Sequence, residues 1–76
     1  MSEYEWLTIF GDNLAYMLKD ARMTQRELAD ATGLSEGAIS AYIHKKKMPG
    51  VKALINIAEE LNCTMDDLMF FGDRIY

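Results

Sequence analysis

Three lysines stand side by side at positions 45 to 47, near the end of the stretch SEGAISAYIHKKKMPG, residues 35–50. Adjacent ammonium groups on flexible stems act as point charges toward anions. A run of three therefore suits a polyanion. The residues just before it are of another kind. From Ser35 to Ile43 there is no Lys or Arg, and Glu36 is an acid. Charge along the chain is divided in the same spirit. The net charge is −4, yet residues 19–52 hold seven bases against four acids, and the two ends hold one base against eight acids. The middle of the chain is arranged to face a polyanion while the ends face away. Other chemistries lack their parts. His44 is the only histidine and has no nucleophile or carboxylate partner in sight. Cys63 is the only cysteine, so no internal disulfide forms, and no Cys/His cluster has metal-ligand spacing. No catalytic residue, no metal and no cofactor are expected.

Side chains of this sort act only where rigid elements hold them. A length of 76 residues implies one domain, here residues 1–76. Half of the residues are hydrophobic, which suits a compact globule. The punctuation is helical. TQRE at 24–27 is a capping box: the Thr24 hydroxyl accepts from the Glu27 backbone, and Glu27 reaches back. TMDD at 64–67 is a similar signal, with Asp in place of Glu or Gln. Ser35 is a good N-cap, and Ser2 offers an early start that Gly11 weakens. Gly33 and Asn62 suit left-handed helix ends, and Pro49 ends what precedes it. Between these signals run apolar stripes at helical spacing. They are Phe10, Leu14, Met17, Leu18 and Ala21; Leu28 and Ala29; Ile39, Tyr42 and Ile43; Leu54, Ile57, Ala58 and Leu61; and Leu68. No segment alternates with period two. The expectation is an all-α fold of five helices, at about 5–22, 25–32, 36–45, 51–61 and 65–70.

Two short helices joined by TGLS follow helix-turn-helix grammar: Gly33 permits a positive φ, Leu34 plugs the core and Ser35 caps the next helix. Here the sequence resembles the Cro and phage-repressor (lambda-repressor-like) DNA-binding domains. The resemblance is carried by MTQRELADATGLSEGAISAYIHKKKMPG and the VKALINIAEELNCTMDDLM that follows it, and it covers about residues 10–69. It implies a compact five-helix domain whose helix-turn-helix spans about 24–45. It also implies that helix 36–45 lies in the major groove of double-stranded DNA. Phosphate contacts would come from Gln25, Arg26, Ser35, Lys45, Lys46 and Lys47. Base contacts would fall to Glu36, Gly37, Ser40 and Ala41. Glu36 would accept from a cytosine amino group, Ser40 would serve several bases, and Ala41 would touch a thymine methyl. The helix offers no Arg–guanine or Gln–adenine bidentate pair, which leaves part of specificity to DNA shape. The implied function is that of a small sequence-specific transcriptional regulator, a repressor of phage or mobile-element type. The alternative is a protein-interaction module on the same fold, antitoxin-like or polymerase-contacting.

Three positions depart from that family. Leu18 and Ile43 stand where many members carry Arg and Glu as a buried pair. An apolar pair there is expected to meet in the core, and exchanging both ends together is often neutral or stabilising. Lys45 stands where Gly is usual, so either it keeps a left-handed backbone at a cost of about 1 kcal/mol or the helix runs on. Elsewhere, Met17, Met48, Met65 and Met69 are expected at the core or its rim. Tyr4 and Trp6 are expected to fold over the core edge, and Cys63 to be buried. LMFFGDRIY at 68–76 holds more apolar surface than a fifth helix needs. Phe70, Phe71, Ile75 and Tyr76 either pack on Trp6 and Leu7 or form a homodimer contact. The acidic N-terminus lacks a signal peptide's basic start, and no apolar stretch reaches the ~20 residues of a membrane span. A cytoplasmic protein is expected, without membrane contact and without a small-molecule effector.

Overall fold

The computed structural model describes residues 2–70. Phe71, Ile75 and Tyr76 lie outside the described residues, so the dimer contact read from them is represented by Phe70 alone. Among the described residues there are five helices and no strand. These are α1 (Glu3–Ala21), α2 (Gln25–Thr32), α3 (Glu36–Ile43), α4 (Val51–Glu60) and α5 (Met65–Met69).

Local chemistry starts these helices. The first backbone N–H groups of a helix have no partner within it. At α2 the Thr24 hydroxyl accepts from Glu27 N–H at 3.0 Å, and Thr24 N–H donates to the Glu27 carboxylate at 2.8 Å. The same reciprocal box forms between Ser2 and Glu5 and between Thr64 and Asp67. The Ser2 box sets the start of α1 at Glu3, two residues before the expected one. Ser35 caps α3 through Ala38 N–H at 3.0 Å, and Gly50 leads into α4 without a side-chain cap.

Three of the five helix ends, those of α1, α3 and α4, share one device. Arg22, Lys45 and Asn62 have φ of 55°, 63° and 54°. After each, the next N–H reaches back five residues to a carbonyl: Met23 to Leu18, Lys46 to Ala41 and Cys63 to Ala58, each at 2.9 Å. This is the Schellman closure, usually built on glycine. It ends α3 at Ile43 rather than at 45, so Lys45 keeps the left-handed backbone and the helix does not run on.

The molecule measures 30 × 24 × 19 Å. The long α1 packs on α3 and α5, α2 packs on α3 and α4, and α4 meets α5. Phe10, Leu14 and Leu18 put one face of α1 into a core that also holds Leu28, Ile39, Tyr42, Ile57 and Leu68. The Phe10 and Tyr42 rings meet edge to face at 5.8 Å. Leu18 is buried and Ile43 packs against the same cluster, so both apolar replacements lie on the core side. Burial differs from expectation at several positions. Ala21 is exposed because α1 is ending there. Tyr4 is 73% exposed and Met65 is 42% exposed, each on the first turn of a helix and turned outward. Cys63 is half-buried.

Candidate nucleic-acid interface

The turn between α2 and α3 fixes the geometry. Gly33 closes α2 at φ 77°, Leu34 packs against the core, and Ser35 is already the cap of α3. Ile39 and Tyr42 anchor α3 from one side. The other side presents Glu36 and Gly37, exposed, with Ser40 and Ala41 half-buried behind them. These are the four residues expected to read bases, and they share one outer face. Gly37 is unhindered by its own chain: an added Cβ would find only the Ser35 hydroxyl, 3.9 Å away.

The expected phosphate contacts flank this face. Ser35 and Arg26 are exposed, and Gln25 is half-buried at the first position of α2. Exposed N–H groups at a helix start favour anions. Glu27 stands in the same turn, and its carboxyl is held below the ordinary glutamate range. Hydrogen bonding from the Thr24 backbone is the chief cause, with the Thr24 hydroxyl second. A fixed negative charge therefore sits next to Gln25 and Arg26.

The three lysines do not point the same way. Lys46 and Lys47 are exposed. Lys45 turns back toward α1, where its Nζ lies 2.7 Å from Asp12 Oδ1. The approach is possible because Gly11 lies beneath it. A Cβ on Gly11 would come within 2.8 Å of the Tyr42 carbonyl oxygen, 2.9 Å of Lys45 Cγ and 3.1 Å of the Ile43 carbonyl oxygen. Gly11 thus admits the end of α3 against the backbone of α1. His44, the C-cap residue of α3, is exposed and bonds through Nδ1 to the Ser40 carbonyl oxygen at 2.9 Å.

Sequence reasoning missed three of these residues. Gly11 and Asp12 carry no local motif, and their partners lie at the far end of α3. Asn13 is the third. It is buried, and its amide donates to the Leu68 carbonyl at 2.8 Å and to the Phe70 carbonyl at 3.0 Å, tying the end of α5 to α1. A polar residue amid the apolar stripe of α1 was the available signal. Phe70 remains 48% exposed while its ring meets Trp6 edge to face at 5.8 Å.

Among the described residues no group of three or more His, Cys, Asp or Glu is placed to hold a metal, and no helix is long and apolar enough to cross a membrane. A shallow hollow lined by Tyr16, Lys19, Asp20 and Arg22 opens on the surface of α1.

A capped helix, a tight glycine turn and a second capped helix with an outward polar face define a helix-turn-helix domain. The helix-turn-helix family model HTH_3 matches residues 14–68, and the chain belongs to that family. Over 61 residues it is 34% identical to the uncharacterized HTH-type transcriptional regulator YqaE of Bacillus subtilis (strain 168). That match takes in 80% of this chain but 53% of YqaE, so the chain spans about half the length of this relative. Among solved structures it is similar to the restriction-modification controller protein C.AhdI from Aeromonas hydrophila. The TM-score is 0.78 at 19% identity, over 82% of this chain and 94% of that one. It is also similar to the SOS-response repressor LexA from Eubacterium rectale, with TM-score 0.84 at 22% identity over 91% and 73%. An HTH_3 regulator from Vibrio cholerae gives TM-score 0.86 at 15% identity over 97% and 42%. At these identities the structural likeness is one of fold.

Proposed function

We propose that the chain binds double-stranded DNA in a sequence-dependent way and regulates transcription, as a repressor. In this reading α3 enters the major groove. The observation that carries it is Gly37. Glycine in a helix costs about 1 kcal/mol relative to alanine. Nothing in this chain requires it there. A side chain is absent from the point of the molecule that a groove-entering helix brings nearest to the bases. Glu36, Ser40 and Ala41 share that face and would supply base contacts. Lys46 and Lys47, with Ser35, Gln25 and Arg26, would hold phosphates. Lys45 contributes less, because Asp12 already neutralises it. The similarity to an HTH-type transcriptional regulator supports the same reading. It is the reading of a binding protein rather than an enzyme, and it sets the protein among DNA in the cytoplasm.

A homodimer through Phe70 is proposed alongside. About half of this residue lies exposed beside Trp6 at the end of α5. Two-fold pairing there would present two recognition helices to half-sites one helical turn, about 34 Å, apart.

Selection of bound sequences from random duplex DNA tests the central claim. The expected result is a short enriched motif, palindromic if the dimer forms. Recovery of no duplex above background at low salt would refute it and favour a protein partner.

A further inference from the structure

We infer that Asp12 is a brake on DNA affinity: by pairing with Lys45 it withholds one of the three lysines from phosphate. The inference rests on the DNA-binding function proposed above. Lys45 stands two residues past the end of α3, and the exposed Lys46 and Lys47 come directly after it. A side chain here lies beside the helix that would enter the groove. Its backbone is held in place. Lys45 N–H donates to the Tyr42 carbonyl at 3.1 Å, and Lys46 N–H donates to the Ala41 carbonyl at 2.9 Å. From that start the stem runs back over α1. Its Cγ lies 2.9 Å from where a Cβ on Gly11 would stand, and its Nζ lies 2.7 Å from Asp12 Oδ1. The bare backbone of Gly11 is what lets the ammonium reach the acid.

The strength of the pair sets the size of the effect. The Lys45 and Asp12 side chains are 37% and 57% exposed. Ion pairs this open to water shift an equilibrium by no more than about fivefold. A phosphate contact is a rival of similar strength, since releasing its counterion at about 0.15 M salt also yields about fivefold. Asp12 and phosphate therefore compete for one ammonium on near-equal terms. Lys45 must leave its own partner before it joins the phosphate contacts. Among the described residues Lys46 and Lys47 have no such acid to leave. Phosphate contacts carry no sequence information, so the brake lowers affinity for all duplexes alike and leaves preference between them untouched. Asp12 is thus a positioning residue that acts through Lys45.

Asp12→Asn also removes a charge that repels DNA at a distance, so the test is a double-mutant cycle. Anisotropy titrations across a range of salt, on a short duplex of arbitrary sequence, compare wild type, Asp12→Asn, Lys45→Met and the double variant. Each is checked for folding by melting. Methionine keeps an unbranched stem over Gly11 and removes the charge. Asp12→Asn should bind about two- to fivefold tighter than wild type, the span of an exposed ion pair. Its slope of log K against log salt should steepen by up to about 0.9, which a merely structural role would not cause. In the Lys45→Met background the same change should leave the slope as it was and give a much smaller gain. Asp12→Glu, which keeps a carboxylate within reach, should bind as wild type does. An equal gain in both backgrounds, no gain in either, or an Asp12→Glu as tight as Asp12→Asn overturns the brake and leaves the proposed function standing. Failure of the wild type and every variant to bind any duplex at low salt overturns both.

Discussion

Gly11 and Gly37 are both helical, yet alanine is expected to act oppositely at the two positions. At Gly11 the new Cβ would press on two backbone carbonyls, at 2.8 and 3.1 Å, which cannot swing aside as a side chain does. Overpacking costs about 1–3 kcal/mol, against a helix-propensity gain of about 1 kcal/mol. Gly11→Ala should therefore lower the melting temperature by several degrees, at about 4–8 °C per kcal/mol for a domain of this size. A melt at or above wild type would show that the α1–α3 contact yields. At Gly37 the Cβ meets only the Ser35 hydroxyl, at an ordinary contact distance of 3.9 Å. Gly37→Ala should raise the melting temperature by up to a few degrees and weaken DNA binding. Thermal melts and anisotropy titrations on one preparation read both effects. Unchanged affinity would remove the main support for placing α3 in the groove. Neither glycine's role was legible in the sequence. Gly11 read as a weakness in α1, because the carbonyls it admits belong to residues 42 and 43. Asn13 was equally opaque, since it answers carbonyls at the other end of the chain.

Helix boundaries were the most legible feature, and their electrostatics give a pH dependence. Caps are local: T-x-x-E announces α2 within four residues, and the box forms as written. The ends were harder, because a Schellman closure on Arg22 or Lys45 has no glycine to announce it. At Lys45 a tertiary contact accompanies the closure, since its side chain lies over Gly11 and pairs with Asp12. Glu27 carries a lowered pKa through its bonds from Thr24. The folded state thus favours the charged form more than the unfolded chain does. Its contribution is complete above the ordinary glutamate value and is lost as pH falls through the lower folded value. Glu27→Ala should therefore melt below wild type near neutrality, with the gap closing below about pH 4. A gap that persists in acid would assign the effect to something other than the charged box.

At the scale of the whole molecule, affinity and assembly are the measurable consequences. Each phosphate contact adds about −0.9 to the slope of log K against log salt. Replacing Lys46 and Lys47 by Met together should flatten the slope by up to about two units. Lys45→Met should change it by less than one, since its Nζ is already paired with Asp12. Equal effects from all three would mean that DNA pulls Lys45 off Asp12. The triplet itself was visible in the sequence; its division was not, because Asp12 lies on another helix. Phe70→Asp should convert a wild-type dimer to a chain of 8.7 kDa in sedimentation while the helices remain folded. A wild type that already sediments at that mass, with DNA and without, would end the dimer proposal. Finally, α3 is seated on α1 at Gly11 by main-chain atoms, while Glu36, Gly37, Ser40 and Ala41 lie on its outer face. On the proposed reading of that face, target choice would be open to change one residue at a time, without a compensating change at the α1–α3 contact.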